Sequence, residues 1–334
     1  MLTSACAPNV HTAPAERDDA LVADLRYLSS AQLDGRATGS PGNDSAAAYL
    51  TRTYAGLGIP GLFPSQNCMP GMACRALHYQ LFFLPTDVLS AAGIREDATA
   101  SNIGAVLAGA DPTLRGQFVV IGAHFDHLGR TGYGALDGGS RTLPHLGADD
   151  NASGTAAVLE LARRFVATPT RRSIIFLHFG AEELGLFGSR AFVRRPPVVL
   201  DSIAAMLNLD MVGRMKRERV FVFGVGTSRA WKRLIEQANA GTKLWTDLQD
   251  ALSDGLGTSD HENFVNVAVP ALHFTTGTHE DWHTAEDRFA RLNLGGERRV
   301  VDLVERLVRT VADSIPVLRP SVRKRERASG SGGS

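Results

Sequence analysis

Apolar positions along this chain follow two periods, and the periods alternate. In DDALVADLRYLSS, Leu21, Leu25 and Leu28 recur at helical spacing, and a second helical run, NDSAAAYLTRTYAGLG, is closed by Gly56 and Gly58. The short apolar runs QLFFL, IGAVLA and FVVIGAHF then read as strands. NASGTAAVLELARRFVA repeats small and apolar residues at helical spacing, after which SIIFLHF, AAMLNLDMV and ERVFVFGV return to strand character. VPALHFT adds a short strand, and RRVVDLVERLVRTVADSI places Val301, Val304, Val308 and Val311 on one helical face. Strands that are apolar along their length and separated by helices need cover on both faces. The expected fold is α/β, a three-layer α/β/α sandwich with a mostly parallel central sheet, whose ligand sites lie just beyond the carboxyl ends of the strands. Without an internal repeat or a long linker, residues 21–318 are expected to form one domain between a flexible leader (1–20) and a basic, Gly/Ser-rich tail (319–334).

Charge narrows the partners. Lys plus Arg equals Asp plus Glu at 35 each, so no net field draws a polyanion and a nucleic-acid partner is not expected. No window of about 18 uninterrupted apolar residues exists, so no membrane span is expected. The start lacks an apolar signal core, and LTSAC ahead of Cys6 resembles the end of a bacterial lipoprotein signal. Cys68 and Cys74, in a Pro- and Gly-rich loop without further metal-type ligands at the usual spacing, are expected to form a disulfide. That pair implies an oxidising compartment, so the protein is expected to be exported, with any signal removed. Oligomeric state is not legible.

The unusual polar residues gather at the ends of the strand runs. His124, Asp126 and His127 follow FVVIGA; Asp149, Asp150 and Asn151 precede a helix; Glu182 and Glu183 follow SIIFLHF; Asp210 follows AAMLNL; and HEDWHTAEDR holds His279, Asp281, His283 and Asp287. Each alone has an ordinary explanation. Adjacent glutamates favour the first turn of a helix, Asp149 to Asn151 could cap one, His124 could be a satisfied core histidine and Asp210 a turn former. Together they sit on successive strands whose ends the fold would bring to one edge. Asp150, Glu182, Glu183 and Asp210 in one cleft would carry about −4, which requires compensating cations. Two divalent ions balance that charge, and His124 and His283 complete a mixed N/O ligand set suited to zinc and tolerant of cobalt or manganese.

HFDH, GADDNASG, FGAEELGLFGS, NLDMVGR and DWHTAEDR, in this order and spacing, resemble the M28 zinc aminopeptidases, over residues 28 to about 315. The resemblance implies a zinc exopeptidase-like fold and hydrolysis at the N-terminus of peptides. It also implies two zinc ions: one held by His124, Asp150 and Asp210, the other by Asp150, Glu183 and His283, with Asp150 bridging. Glu182 is then the general base, Asp126 orients His124, and a cis peptide follows Asp150. The segment GTSDHENF matches a region near the substrate pocket, where Asp260 would hold the substrate amine. The family also contains carboxypeptidases and other amide hydrolases. No protease-associated domain is inserted between residues 78 and 122.

One position departs from the pattern. Many members carry Tyr before the last histidine ligand, where this chain has Trp282, an N–H donor without an acceptor that could serve an oxyanion or form a pocket wall. A Trp there is also similar to glutaminyl cyclases, which use one zinc on the same fold. Acyl transfer of that kind, and a catalytically silent binding module of the same fold, are the two alternatives to peptide hydrolysis.

Overall fold

The computed structural model describes residues 15–65, 76–138, 143–252 and 258–314, together with 318, 320 and 321. Residues 1–14, the Cys68 and Cys74 loop and most of the tail lie outside the described residues, as does the disulfide expectation; a helix begins at Ala15, inside the stretch expected as a flexible leader. In chain order the elements are α1 (Ala15–Leu28), α2 (Pro41–Gly56), β1 (Tyr79–Phe83), α3 (Thr86–Ala91), β2 (Thr99–Leu107), β3 (Phe118–His124) and α4 (Gly154–Ala167). They continue with β4 (Ser173–Phe179), α5 (Phe187–Arg194), β5 (Ile203–Leu209), β6 (Arg219–Phe223), α6 (Trp231–Asn239), β7 (Trp245–Leu248), α7 (His261–Val265), β8 (Ala271–Thr275) and α8 (Leu294–Asp313).

All eight strands join one sheet in the order β1-β2-β4-β3-β5-β8-β6-β7. Its centre, β4-β3-β5-β8, is parallel, as is β6 with β7, whereas β1 with β2, β2 with β4, and β6 with β8 are antiparallel. The expected mostly parallel sheet is thus found, with four parallel pairings of seven and antiparallel neighbours toward its flanks. Alternate strand residues separate two cores, because successive side chains leave a strand on opposite faces. Val119, Ile121, Ile174 and Phe176 pack with Leu25, Leu50, Leu159, Trp231 and Val304 from α1, α2, α4, α6 and α8. Val120, Ile175, Leu177 and Phe179 pack on the other face with Phe192 of α5 and Phe264 of α7. This gives three layers.

Local chemistry sets the helix boundaries. Ser40 accepts the Asn43 N–H at 3.2 Å, with Pro41 in the first turn, which starts α2 ahead of the apolar run. The valines expected on one face of the last helix are all buried in α8. QLFFL differs from a buried strand: β1 is a sheet edge, and Tyr79, Leu81 and Phe83 are exposed, Phe83 at 86%. Among the described residues, no helix is long and apolar enough to cross a membrane.

Candidate metal centre

The parallel register brings the chemistry to one edge. His124, the last residue of β3, is opposite Phe179, so Glu182 and Glu183 leave β4 beside it. Leu209 is opposite Phe274, which places Asp210 on the same edge at the end of β5. The two glutamates do not begin a helix. They occupy a turn, and α5 starts only at Phe187, so helix-dipole stabilisation does not account for them. Asp149 to Asn151 likewise lie in a tight turn before α4, with non-helical backbone at Asp150 and Asn151 and a cis peptide between those two. Asn151 holds the turn: its Oδ1 accepts the N–H groups of Gly154 (2.9 Å) and Met211 (3.2 Å), and its amide donates to the Leu209 carbonyl.

Two sets of donor atoms meet at Asp150. His124 Nε2 lies 3.3 Å from Asp150 Oδ1 and 3.3 Å from Asp210 Oδ1. His283 Nε2 lies 3.1 Å from Asp150 Oδ2 and 3.3 Å from Glu183 Oε2. The first set, His124 with Asp150 and Asp210, has donor atoms within 4.8 Å of one another. His127 is equally close: with Asp150 and Glu183 it forms another such group, and its Nδ1 donates to Glu183 Oε1 at 2.7 Å.

These groups suit cations on two grounds. His283 donates its Nδ1–H to the Gly134 carbonyl (2.8 Å) and His124 donates Nδ1–H to the backbone carbonyl of Asp126 (3.2 Å), which directs each Nε2 at the carboxylates. A metal-ligating imidazole is ordinarily anchored in this way. The four carboxylates also attract positive charge strongly. Burial lowers the pKa of His283, but its bonds to Asp150 and Glu183 outweigh that and hold it up at about 11. The same balance drives the Asp150 carboxyl well below its ordinary value, burial opposing and His124, His127 and His283 prevailing. Glu182 goes the other way: burial, reinforced by the nearby Glu183 and Asp210, pushes it well above the usual range, despite the opposing charge of His124.

Other expected residues take more specific places. The Asp126 carboxylate is 3.8 Å from His124 Nδ1, while its oxygens accept the Glu182 N–H (3.1 Å) and the Thr38 hydroxyl (3.1 Å). Its carbonyl is the nearer partner of the imidazole. Trp282 lines the cleft, but its indole N–H donates to Asp150 Oδ2 at 2.9 Å, so the donor engages the shared carboxylate rather than facing the open space. Asp260, expected beside the substrate amine, is fully buried and outside the cleft wall, and burial pushes its carboxyl up to about 7. The neighbouring Ser259 reaches the wall instead, donating to Asp210 Oδ2 at 2.7 Å.

Two supports whose roles the sequence did not disclose lie behind the donors. Asp287 is fully buried, and its carboxylate accepts the N–H groups of Asp149 and Asp150, each at 3.0 Å. Arg36, also buried, donates to the carbonyls of Phe125, Leu146 and Gly147 and to that of Leu28, tying the loop after β3 to the turn holding Asp150. Burial pushes its guanidinium down to about 10, with Asp126 and Asp150 opposing. Gly147, at φ +59°, is required there, because a side chain would fall 2.0 Å from the Asp150 carbonyl. The only local signal for Arg36 was LDGRATGS, whose surrounding glycines suggest a turn and nothing more.

The donors line a cleft of about 550 Å³. A larger cavity, about 800 Å³ beside α6 and the end of α8, has no carboxylate or imidazole in its wall, so volume alone does not identify the site.

Comparison with known proteins follows this geometry. Residues 102–308 match the model of Peptidase family M28. The chain is 33% identical over 167 residues to Aminopeptidase YwaD of Bacillus subtilis (strain 168), a stretch that is 47% of this chain and 36% of that protein. It therefore spans about a third of that relative's length. Its fold is similar to BSAP, a zinc aminopeptidase from Bacillus subtilis (TM-score 0.66, 18% identity, 89% of this chain and 95% of that one). It is equally similar to a Bacteroides thetaiotaomicron glutaminyl cyclase bound to N-acetylhistamine (TM-score 0.67, 17% identity, 87% and 97%). The fold is thus common to hydrolase and cyclase, and the side chains must separate them.

Proposed function

The chain belongs to peptidase family M28, and we propose that it is an aminopeptidase, removing the N-terminal residue of peptides with two divalent cations, zinc first among them. The observation that carries this reading is the pair of donor sets sharing Asp150, beside a Glu182 carboxylate that no hydrogen bond engages among the described residues. His124, Asp150 and Asp210 would hold one ion, and Asp150, Glu183 and His283 the other. When bound, the cations would offset the charge of the four carboxylates, polarise the scissile carbonyl and acidify the attacking water.

The chain's own groups do the rest. The Gly134 carbonyl fixes the tautomer of His283, and the Asp126 carbonyl fixes that of His124. His127 and Ser259 donate to the outer oxygens of Glu183 and Asp210, so each of these two carboxylates keeps a defined oxygen toward the cleft, while Trp282 donates to Asp150 Oδ2, the oxygen that also faces His283. Asp126 accepts the Glu182 N–H and anchors that residue's backbone while its carboxylate stays free. Glu182 takes the proton of the attacking water and delivers it to the leaving amine. Export, with Cys68 and Cys74 joined, belongs to the same reading; two free thiols in the unreduced native protein would remove it.

The function is tested by presenting aminoacyl-p-nitroanilides and free dipeptides to the purified protein before and after chelation, with zinc then returned. The expected result is release of the N-terminal residue, lost on chelation and restored by zinc, with apolar residues favoured. Pyroglutamate formation from N-terminal glutamine, with one zinc per chain, would replace the reading by the cyclase.

A further inference from the structure

The cleft does not end at the metal donors. A groove of about 440 Å³ continues from it, and the two spaces share Phe223, Thr275, Gly277 and Thr278 in their walls. Gly277 stands at the junction with φ +90°, and a side chain there would come within 3.0 Å of the Phe221 ring and narrow the passage. The chemistry reverses across this junction. The inner end holds Asp150, Glu182, Glu183 and Asp210, whereas the groove is lined by Lys216, Arg217 and Arg219 with the rings of Phe221 and Trp245.

Two of the three cations are engaged. Arg219 pairs with Asp247 and lies over the Phe221 ring (4.3 Å) and the Trp245 ring (4.7 Å), which makes it part of a rigid wall. Lys216 is 3.3 Å from Glu280. Arg217 is exposed, and none of the ion pairs among the described residues includes it. Trp245 leaves 57% of its surface exposed and shares the groove wall with Arg217.

We propose that this groove receives the leaving side of a short peptide and reads its terminal carboxylate through Arg217, with Trp245 packing against an apolar side chain. The proposal rests on the aminopeptidase reading and names its substrate class: short peptides with a free C-terminus, whose amine-to-carboxylate polarity matches the negative-to-positive polarity of the cleft. A guanidinium suits this task because its planar fork meets both oxygens of a carboxylate.

The test compares kcat/KM for Leu-Gly-Phe and for its C-terminal amide, with leucine p-nitroanilide as a substrate that needs only the inner cleft. For the wild type, the free acid is expected to be preferred by a factor of about five, the scale of one exposed charge pair. That preference should shrink as salt is raised, because exposed charges are screened. Arg217→Ala should bring the acid-to-amide ratio close to one, and Arg217→Lys, which keeps the charge, should retain part of it. Trp245→Ala should lower kcat/KM for Leu-Gly-Phe more than for Leu-Gly-Gly. Cleavage of the anilide together with equal rates for acid and amide, or a ratio that Arg217→Ala does not change, overturns the inference and leaves the aminopeptidase reading intact. Failure to cleave the anilide under any metal condition overturns that reading and the inference with it.

Discussion

Asp149 and Asp150 are neighbours, both buried, and they belong to different regions of the molecule. Asp150 faces the cleft with Glu182, Glu183 and Asp210, where the partners of the carboxylates are imidazoles, an indole and a hydroxyl arranged around a shared space. Asp149 faces inward with Asp287 and Glu297. There, backbone N–H groups supply most of the bonds, Gly213 to Asp149 at 2.6 Å and the Asp149 and Asp150 amides to Asp287, and one imidazole, His279, stands 3.2 Å from Asp149 Oδ2. A carboxylate occupied by backbone amides is architecture, since satisfying it fixes loop conformation. One whose lone pairs converge on space with other acids retains the capacity to bind a cation.

This contrast can be broken by substitution. Glu182→Gln should keep fold and metal content but lower kcat by roughly 10²–10⁴, the range of general-base contributions. A turnover near wild type, measured beside metal content, would remove Glu182 from its role. Asp287→Ala leaves buried amides without an acceptor and should destabilise even the metal-free protein by roughly 2–4 kcal/mol, seen as a lower urea midpoint. Asp150→Asn should do the reverse, abolishing zinc uptake in equilibrium dialysis. Its cost to the metal-free protein is read alongside that loss, because the substitution also removes the attraction of His124, His127 and His283. If Asp287→Ala and Asp150→Asn gave the same pattern, front and back would not be distinct.

The smallest effect concerns pH. Both Glu297 oxygens are buried without a hydrogen-bond partner among the described residues, and burial, with the charge of Asp149 adding to it, raises this carboxyl well above its ordinary value. The folded state then keeps a proton that the unfolded chain releases near pH 4.5, so the contribution of Glu297 to stability is lost as pH rises toward its folded pKa. Glu297→Gln cannot release that proton. The variant should therefore gain on wild type over the pH range from about 5 upward, read as urea midpoints converted to free energy. A constant difference over that range would show that Glu297 is ionised in the fold.

The front of the site was far more legible than the back. His124, Glu183, Asp210 and His283 each follow an apolar run or stand in a compact polar motif, so strand ends and motif order located them. Asp287 and Arg36 act through backbone amides and carbonyls contributed by distant loops, and neither their spacing nor their neighbours announce a partner. The motif HFDH does not disclose a role for His127, since only the turn after β3 aims it at Glu183. The central strands were readable because their apolar runs are continuous. The antiparallel flanks were not, because apolar runs report burial and not direction. β1 shows the converse failure: QLFFL is as apolar as a core strand and lies at an open edge.

The donors span residues 124 to 283 and stand on the ends of β3, β4 and β5 and on the loop after β8. No early fragment of the chain contains the complete set. As the polypeptide is synthesised from its N-terminus, His283 is the last donor to emerge, and loops of this length close slowly. The centre therefore closes late: until the segment carrying His283 has been made, the chain holds only part of the donor set, whatever the state of its first five strands.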